Sequence, residues 1–160
     1  MFRQSLRTVS RSARLVQRRT YAEAVSNPDI LKVSLALPHE TLVNAQEVTQ
    51  VNIPAVSGEM GILANHVPVV EQLKPGIVEI IESSGTTKQF FVNGGFATVQ
   101  PDSKLNITAI EAFTPDSFSP EAIKSQLTEA QKNLSSADEA VAAEAAIEVE
   151  VLEALAAVAK

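Results

Sequence analysis

Between residues 29 and 115, apolar and polar positions alternate in short runs. Leu31, Val33, Leu35 and Leu37 are separated by Lys32, Ser34 and Ala36, the period-two pattern of a half-buried strand, and Pro38 closes it. Val51 and Ile53 repeat the pattern within 48–54. Further runs span 67–73, ended by the turn Pro75-Gly76, and 77–82, ended by Ser83-Ser84-Gly85. Runs at 89–92 and 96–99 flank Asn93-Gly94-Gly95, which predicts a hairpin. Leu105, Ile107 and Ala109 then alternate with Asn106, Thr108 and Ile110. Many short strands with frequent turns and no helical pattern between them predict an all-β antiparallel sandwich or flattened barrel over 29–115.

The period changes after Pro120, the last proline, in a stretch without glycine and rich in Ala, Glu and Leu. Ser119-Pro120-Glu121 reads as N-cap, first helical residue and an acid at the positive helix end. Ile123, Leu127, Ala130 and Leu134 then lie on one helical face. Ser135-Ser136 interrupts, Ser136-Ala137-Asp138-Glu139 has the form of a capping box, and a second helix runs to about Ala159, with Ile147, Val151, Ala154 and Val158 as its tightest stripe. A very short link makes the two helices antiparallel, so 119–160 is a C-terminal helical hairpin and the whole is α+β. Alanine buries little area, so the hairpin needs a surface to lean on.

Charge separates a third segment. All six Arg lie in the first 19 residues of this 160-residue chain, and no acid precedes Glu23. Residues 1–21 are Arg- and Ser-rich, the composition of a mitochondrial transit peptide, with Arg19-Thr20-Tyr21-Ala22 resembling a matrix-peptidase site. The alternative is a basic arm for nucleic acid or anionic lipid; the acids that begin at Glu23 favour the transit peptide. Residues 22–28 form a short N-terminal segment. From residue 23 onward seven Lys face 19 acids, so the remainder lacks the basic footprint of a nucleic-acid binder. No run approaches ~20 apolar residues, so no membrane-spanning helix is expected. The hairpin's eight acids and three Lys would be repelled by anionic lipid.

Catalytic signals are weak. With no Cys and two His, thiolate chemistry and His-rich metal sites drop out. Gly58-Glu59-Met60-Gly61 lacks the Lys-Ser/Thr of a phosphate loop, and Gly94-Gly95 does not extend to a dinucleotide fingerprint. His39 follows Pro38 in a turn, and His66 has no serine placed as a nucleophile. Glu59, Glu71, Glu79 and Glu82 read as a solvated face. The residues alone therefore favour an interaction protein with no catalytic residue, cofactor or metal.

One segment says more. Val56-Ser57-Gly58-Glu59-Met60-Gly61-Ile62-Leu63-Ala64-Asn65-His66-Val67-Pro68, continuing to Leu73-Lys74-Pro75-Gly76, resembles the signature of the small rotor-stalk subunits of F-type ATP synthases, called delta in mitochondria and epsilon in bacteria. Phe91-Val92-Asn93-Gly94-Gly95-Phe96-Ala97-Thr98-Val99 resembles that family's second block. The resemblance implies a non-catalytic central-stalk part that links the gamma subunit to the c-ring and couples proton-driven rotation to ATP synthesis. It implies gamma, the c-ring and the small mitochondrial epsilon subunit as partners, at the matrix side of the inner membrane. By the same resemblance Gly58, Glu59, Met60 and Gly61 form a c-ring-facing loop. There Glu59 either pairs with a basic ring residue or only solvates a turn. His66 is a gamma contact. Some bacterial relatives bind ATP on the hairpin through Arg; this hairpin has none, so no ATP site is expected, and the hairpin should stay folded on the sandwich. Ile123, Leu127, Leu134, Ile147, Val151 and Val158 are its candidate docking residues.

Overall fold

The computed structural model describes residues 29–159; the transit segment 1–21, residues 22–28 and Lys160 lie outside the described residues. The strands are β1 (Leu31–Ala36), β2 (Thr41–Val48), β3 (Gln50–Ala55), β4 (Gly58–Leu63), β5 (Val69–Leu73), β6 (Gly76–Ile81), β7 (Thr87–Val92), β8 (Gly95–Val99), β9 (Lys104–Ala109) and β10 (Ala112–Phe113). They form one hydrogen-bonded path, β10-β7-β6-β3-β5-β8-β9-β1-β2, with β4 on the other side of β3.

β3 folds this path into two layers. Its first half, Gln50–Asn52, pairs with β6, and its last residue, Ala55, pairs with Leu73 of β5. Pro54 sits at the change of partner, where a missing N–H removes no ladder bond; its carbonyl accepts from the Lys74 N–H at 2.9 Å. Alternation then fills the space between layers. Leu31, Val33 and Leu35 of β1, Val51 and Ile53 of β3, Val78 and Ile80 of β6, and Leu105 and Ile107 of β9 are all buried in one cluster.

Three local expectations fail. β1 and β9 run parallel, Lys32–Ala36 against Lys104–Thr108, in an otherwise antiparallel sheet. A period of two sets which face is buried and says nothing about direction between strands this distant in sequence. β7 and β8 are not a hairpin: β7 pairs with β6 and β10, while β8 pairs with β5 and β9. Gly94 and Gly95 have φ of +143° and +139°. These values are far from the ~+60° of a tight hairpin turn, and they carry the chain from one layer to the other. Strands β2 and β4 are also unforeseen. β2 is half polar and carries a bulge in which Ala45 has φ +45° and donates its N–H to Ser34 Oγ at 3.1 Å. β4 contains two of the glycines that read as turn residues.

A 3-10 turn at Pro115–Ser117 leads into α1 (Pro120–Asn133) and α2 (Glu139–Val158). Ser119 caps α1, its Oγ accepting from the Ala122 N–H. The second cap is Asp138, whose carboxylate accepts from the Ala140 N–H at 3.0 Å, and not Ser136, which instead accepts from the Asp138 N–H. An anion adjoining the positive helix end is the better cap. Ala130 of α1 and Ala145 of α2 are both buried.

A second apolar cluster joins the hairpin to the sandwich. Phe91 of β7, Ile123 and Leu155 are its buried members, with Ile77, Phe118 and Val151 packed around them. Phe118 stands edge-on to Phe91 at 5.6 Å and to Phe113 at 5.9 Å. Leu155→Ala should therefore destabilise the hairpin's seat by about 2–3 kcal/mol. Limited proteolysis checks this: cleavage should rise within 119–158 while 31–113 stays resistant.

Candidate interaction surface

The register sorts the loops to two ends. At one lie 64–68, 82–86 and 100–103; at the other, 38–40, 56–57, 74–75, 93–94 and 110–111. Between them, the layer β5-β8-β9-β1 turns an open face outward. Pairing places Val70, Thr98, Asn106 and Ser34 in one row and Gln72, Phe96, Thr108 and Ala36 in the next. Neither row carries a charge, and Val70 and Phe96 are 65% and 56% exposed. Charges resume at the 100–103 end, where Lys32 pairs with Glu47 at 3.4 Å and Lys104 with Asp102. In a chain this acidic, an uncharged sheet face with exposed aromatic and aliphatic side chains has the character of a protein interface.

This face runs into a groove of about 520 Å³ at the other end. Val56, Phe96 and Ile110 line it from the sandwich, and Ile147 and Val151 from α2. Ile147 is 65% exposed. All five Glu of α2, namely Glu139, Glu144, Glu148, Glu150 and Glu153, are exposed, and α2 contains no basic residue.

The residues singled out from sequence are dispersed over this architecture. Gly58, Glu59, Met60 and Gly61 do not form a loop: they open β4 and pair with Ala55 through Asn52 of β3, the turn being Val56-Ser57. Glycine marks this strand because Gly61 lies against the Gln50 and Asn52 side chains, which a Cβ would meet at 3.1 and 3.3 Å. Glu59 is exposed and Met60 half-buried on the core. His66 is in the loop at the far end of β4, its Nδ1 2.8 Å from the Val67 carbonyl oxygen. In the hairpin, Ile123 is already covered by the second cluster, Leu127, Val151 and Val158 are half-buried, and Leu134 and Ile147 are exposed. The face itself was missed. Its one legible sign was the doublet Val69-Val70, which puts an apolar residue on both sides of a strand.

Among the described residues no cluster of His, Asp and Glu could hold a metal ion, and no helix is long and apolar enough to cross a membrane. The perturbed acids have structural causes. The Asn52 amide, donating at 3.0 Å, and the Gln89 amide, donating at 2.7 Å, hold the Glu79 carboxyl below the usual carboxylate range. A depressed folded value means stabilisation that is present above the ordinary carboxylate pKa and lost as pH falls through the lowered one. Asn52→Ala should bring Glu79 back toward its ordinary value and weaken that acid-side dependence. An NMR titration of the Glu79 carboxyl with urea midpoints from about pH 7 to about pH 3 checks it.

Comparison with known proteins agrees with this architecture in both parts. Residues 30–115 match the family described as ATP synthase, Delta/Epsilon chain, beta-sandwich domain. Residues 118–157 match the fungal epsilon subunit of F1F0-ATP synthase C-terminal domain. The ATP synthase subunit delta, mitochondrial, of Pichia angusta is 65% identical over 156 residues, covering 97% of each chain. That of Saccharomyces cerevisiae is 60% identical over 154 residues, covering 96% of each. Among solved structures, a chain in the cryo-EM structure of the Euglena gracilis mitochondrial ATP synthase (OSCP/F1/c-ring in rotational state 1) superposes with a TM-score of 0.78. It is 30% identical, with 96% of this chain and 98% of that chain covered.

Proposed function

The chain belongs to the ATP synthase delta/epsilon family, and from that premise we propose that it is the non-catalytic central-stalk subunit that ties gamma to the c-ring in the mitochondrial enzyme. Rotation is transmitted through a body that does not deform. Two close-packed β layers joined through β3, with a continuous aliphatic core, supply such a body. It works at the matrix side of the inner membrane, peripheral to the bilayer, after removal of 1–21.

The observation that carries this reading is the uncharged pair of rows on β5-β8-β9-β1. It is the docking face for gamma, and His66 lies in the loop that leads into β5. The β3–β4 corner, with Gly58, Glu59, Met60 and Gly61, meets the c-ring, where exposed Glu59 faces a basic ring residue. The mitochondrial epsilon subunit lies against Ile147 and Val151 on the α2 side of the groove, leaving Phe96 to gamma, and the acidic outer side of α2 calls for a basic surface on that partner. No step here breaks a bond in a substrate.

Affinity capture of the tagged chain from mildly solubilised mitochondria tests the reading. Gamma, epsilon and the c-ring should be recovered in fixed ratio to it. Recovery of the chain alone, or with partners whose ratio drifts between preparations, contradicts it.

A further inference from the structure

Ser103 is the only polar residue fully buried among the described residues, at 1% exposure, and it is held at φ +56°. A serine in the left-handed region is unfavourable by its own sterics and persists only where its surroundings enforce it. Those surroundings come from two separate segments. The Ser103 carbonyl accepts from the Lys32 N–H at 2.9 Å, at the start of β1. Its Oγ accepts from the Asn65 N–H at 2.8 Å, in the loop between β4 and β5. Asn65 is itself left-handed, at φ +60°, and its side-chain amide donates to Asp29 at 3.2 Å.

The loop so held is short and pinned elsewhere too: the His66 N–H donates to the Leu63 carbonyl at 3.3 Å, and Ala64 packs against the core. Outside, exposed Asn65 is accompanied by apolar side chains. Leu63 is 50% exposed and Val67 70%. Val67 precedes Pro68 and β5, at the end of the sandwich where β5 starts. Two left-handed residues joined to each other, Ser103 buried and Asn65 exposed beside apolar side chains, are a device for holding a contact surface in one shape.

We infer that Ser103 is a positioning residue: through Asn65 it holds the 64–68 loop rigid, so that Leu63, His66 and Val67 meet gamma pre-organised. This rests on the reading of the open face as the gamma-docking surface. It adds the reason that a loop at the rim can carry torque: the ordering needed for binding is complete before gamma arrives, which slows dissociation.

The test uses the full chain and the gamma subunit, with Ser103→Gly as the main variant, because glycine accepts the left-handed backbone while losing the side chain that carries the hydroxyl; Ser103→Ala, which removes the hydroxyl alone, is its companion. In the free variant, hydrogen exchange at 64–68 should be about tenfold faster, with β3 and β9 unchanged, and gamma should dissociate about fivefold faster. Ser103→Ala should have the same local effect; if it fails to fold, the glycine variant decides alone. Unchanged exchange at 64–68, a uniform rise across the chain, or a faster loop with unaltered gamma dissociation each overturns the inference. A wild-type chain that does not bind gamma sinks the functional reading and the gamma-contact part of this inference with it, whereas the exchange data still decide whether Ser103 holds the loop.

Discussion

Gly95→Ala is expected to destabilise the protein by more than about 4 kcal/mol, enough to leave it largely unfolded or insoluble. A Cβ at this position would lie 2.1 Å from the Thr108 carbonyl oxygen and 2.8 Å from Ala109 Cα. Both are backbone atoms of β9, so relief requires moving a central strand. The backbone conformation, φ +139°, adds strain for any side chain. Gly85 provides the control. Its φ is +83° but nothing lies within 4 Å of an added Cβ, so Gly85→Ala should be unfavourable by only about 1 kcal/mol. Urea denaturation of the two variants side by side separates close approach from conformational strain. Similar losses for both would mean that β8 does not press on β9 as described.

Phe96→Asp is expected to have the opposite profile. Phe96 is more than half exposed in the middle of the uncharged rows, paired with Gln72 on one side and Thr108 on the other. Removing its ring leaves no cavity, and stability should change by less than about 1 kcal/mol. Binding is different. A buried carboxylate in the centre of an apolar contact is desolvated without a partner, so affinity for gamma should fall by about 100-fold or more. Isothermal titration with gamma, alongside the urea midpoint, gives both quantities. Large destabilisation with intact binding would mean that Phe96 belongs to the core and that gamma docks elsewhere.

The two-part layout could be read from the chain because each part writes its own period. The alternation Leu31, Val33, Leu35 and the helical spacing Ile123, Leu127, Ala130 are consequences of a core on one side only. The illegible features have the same physical origin. Strand direction leaves no trace in alternation, hence the parallel β1–β9 pair. Asn93-Gly94-Gly95 has hairpin composition, yet its glycines serve a crossing between layers that depends on where β9 already lies. Val70 and Phe96 look like core residues because hydrophobicity alone does not distinguish a face covered by the same chain from one covered by another. Ser103 gave no signal at all: a serine in a polar turn becomes notable only when both its burial and its left-handed backbone are seen.

The central claim is that the face around Phe96 lies against gamma in the working rotor. A photo-reactive benzoylphenylalanine at position 96, activated in the assembled mitochondrial enzyme, tests it directly. The expected product joins this chain to gamma, in a complex that still hydrolyses ATP but whose rotor parts are now covalently one. A product that joins position 96 to epsilon, the c-ring, a stator subunit or a protein outside the synthase, and not to gamma, would contradict the account.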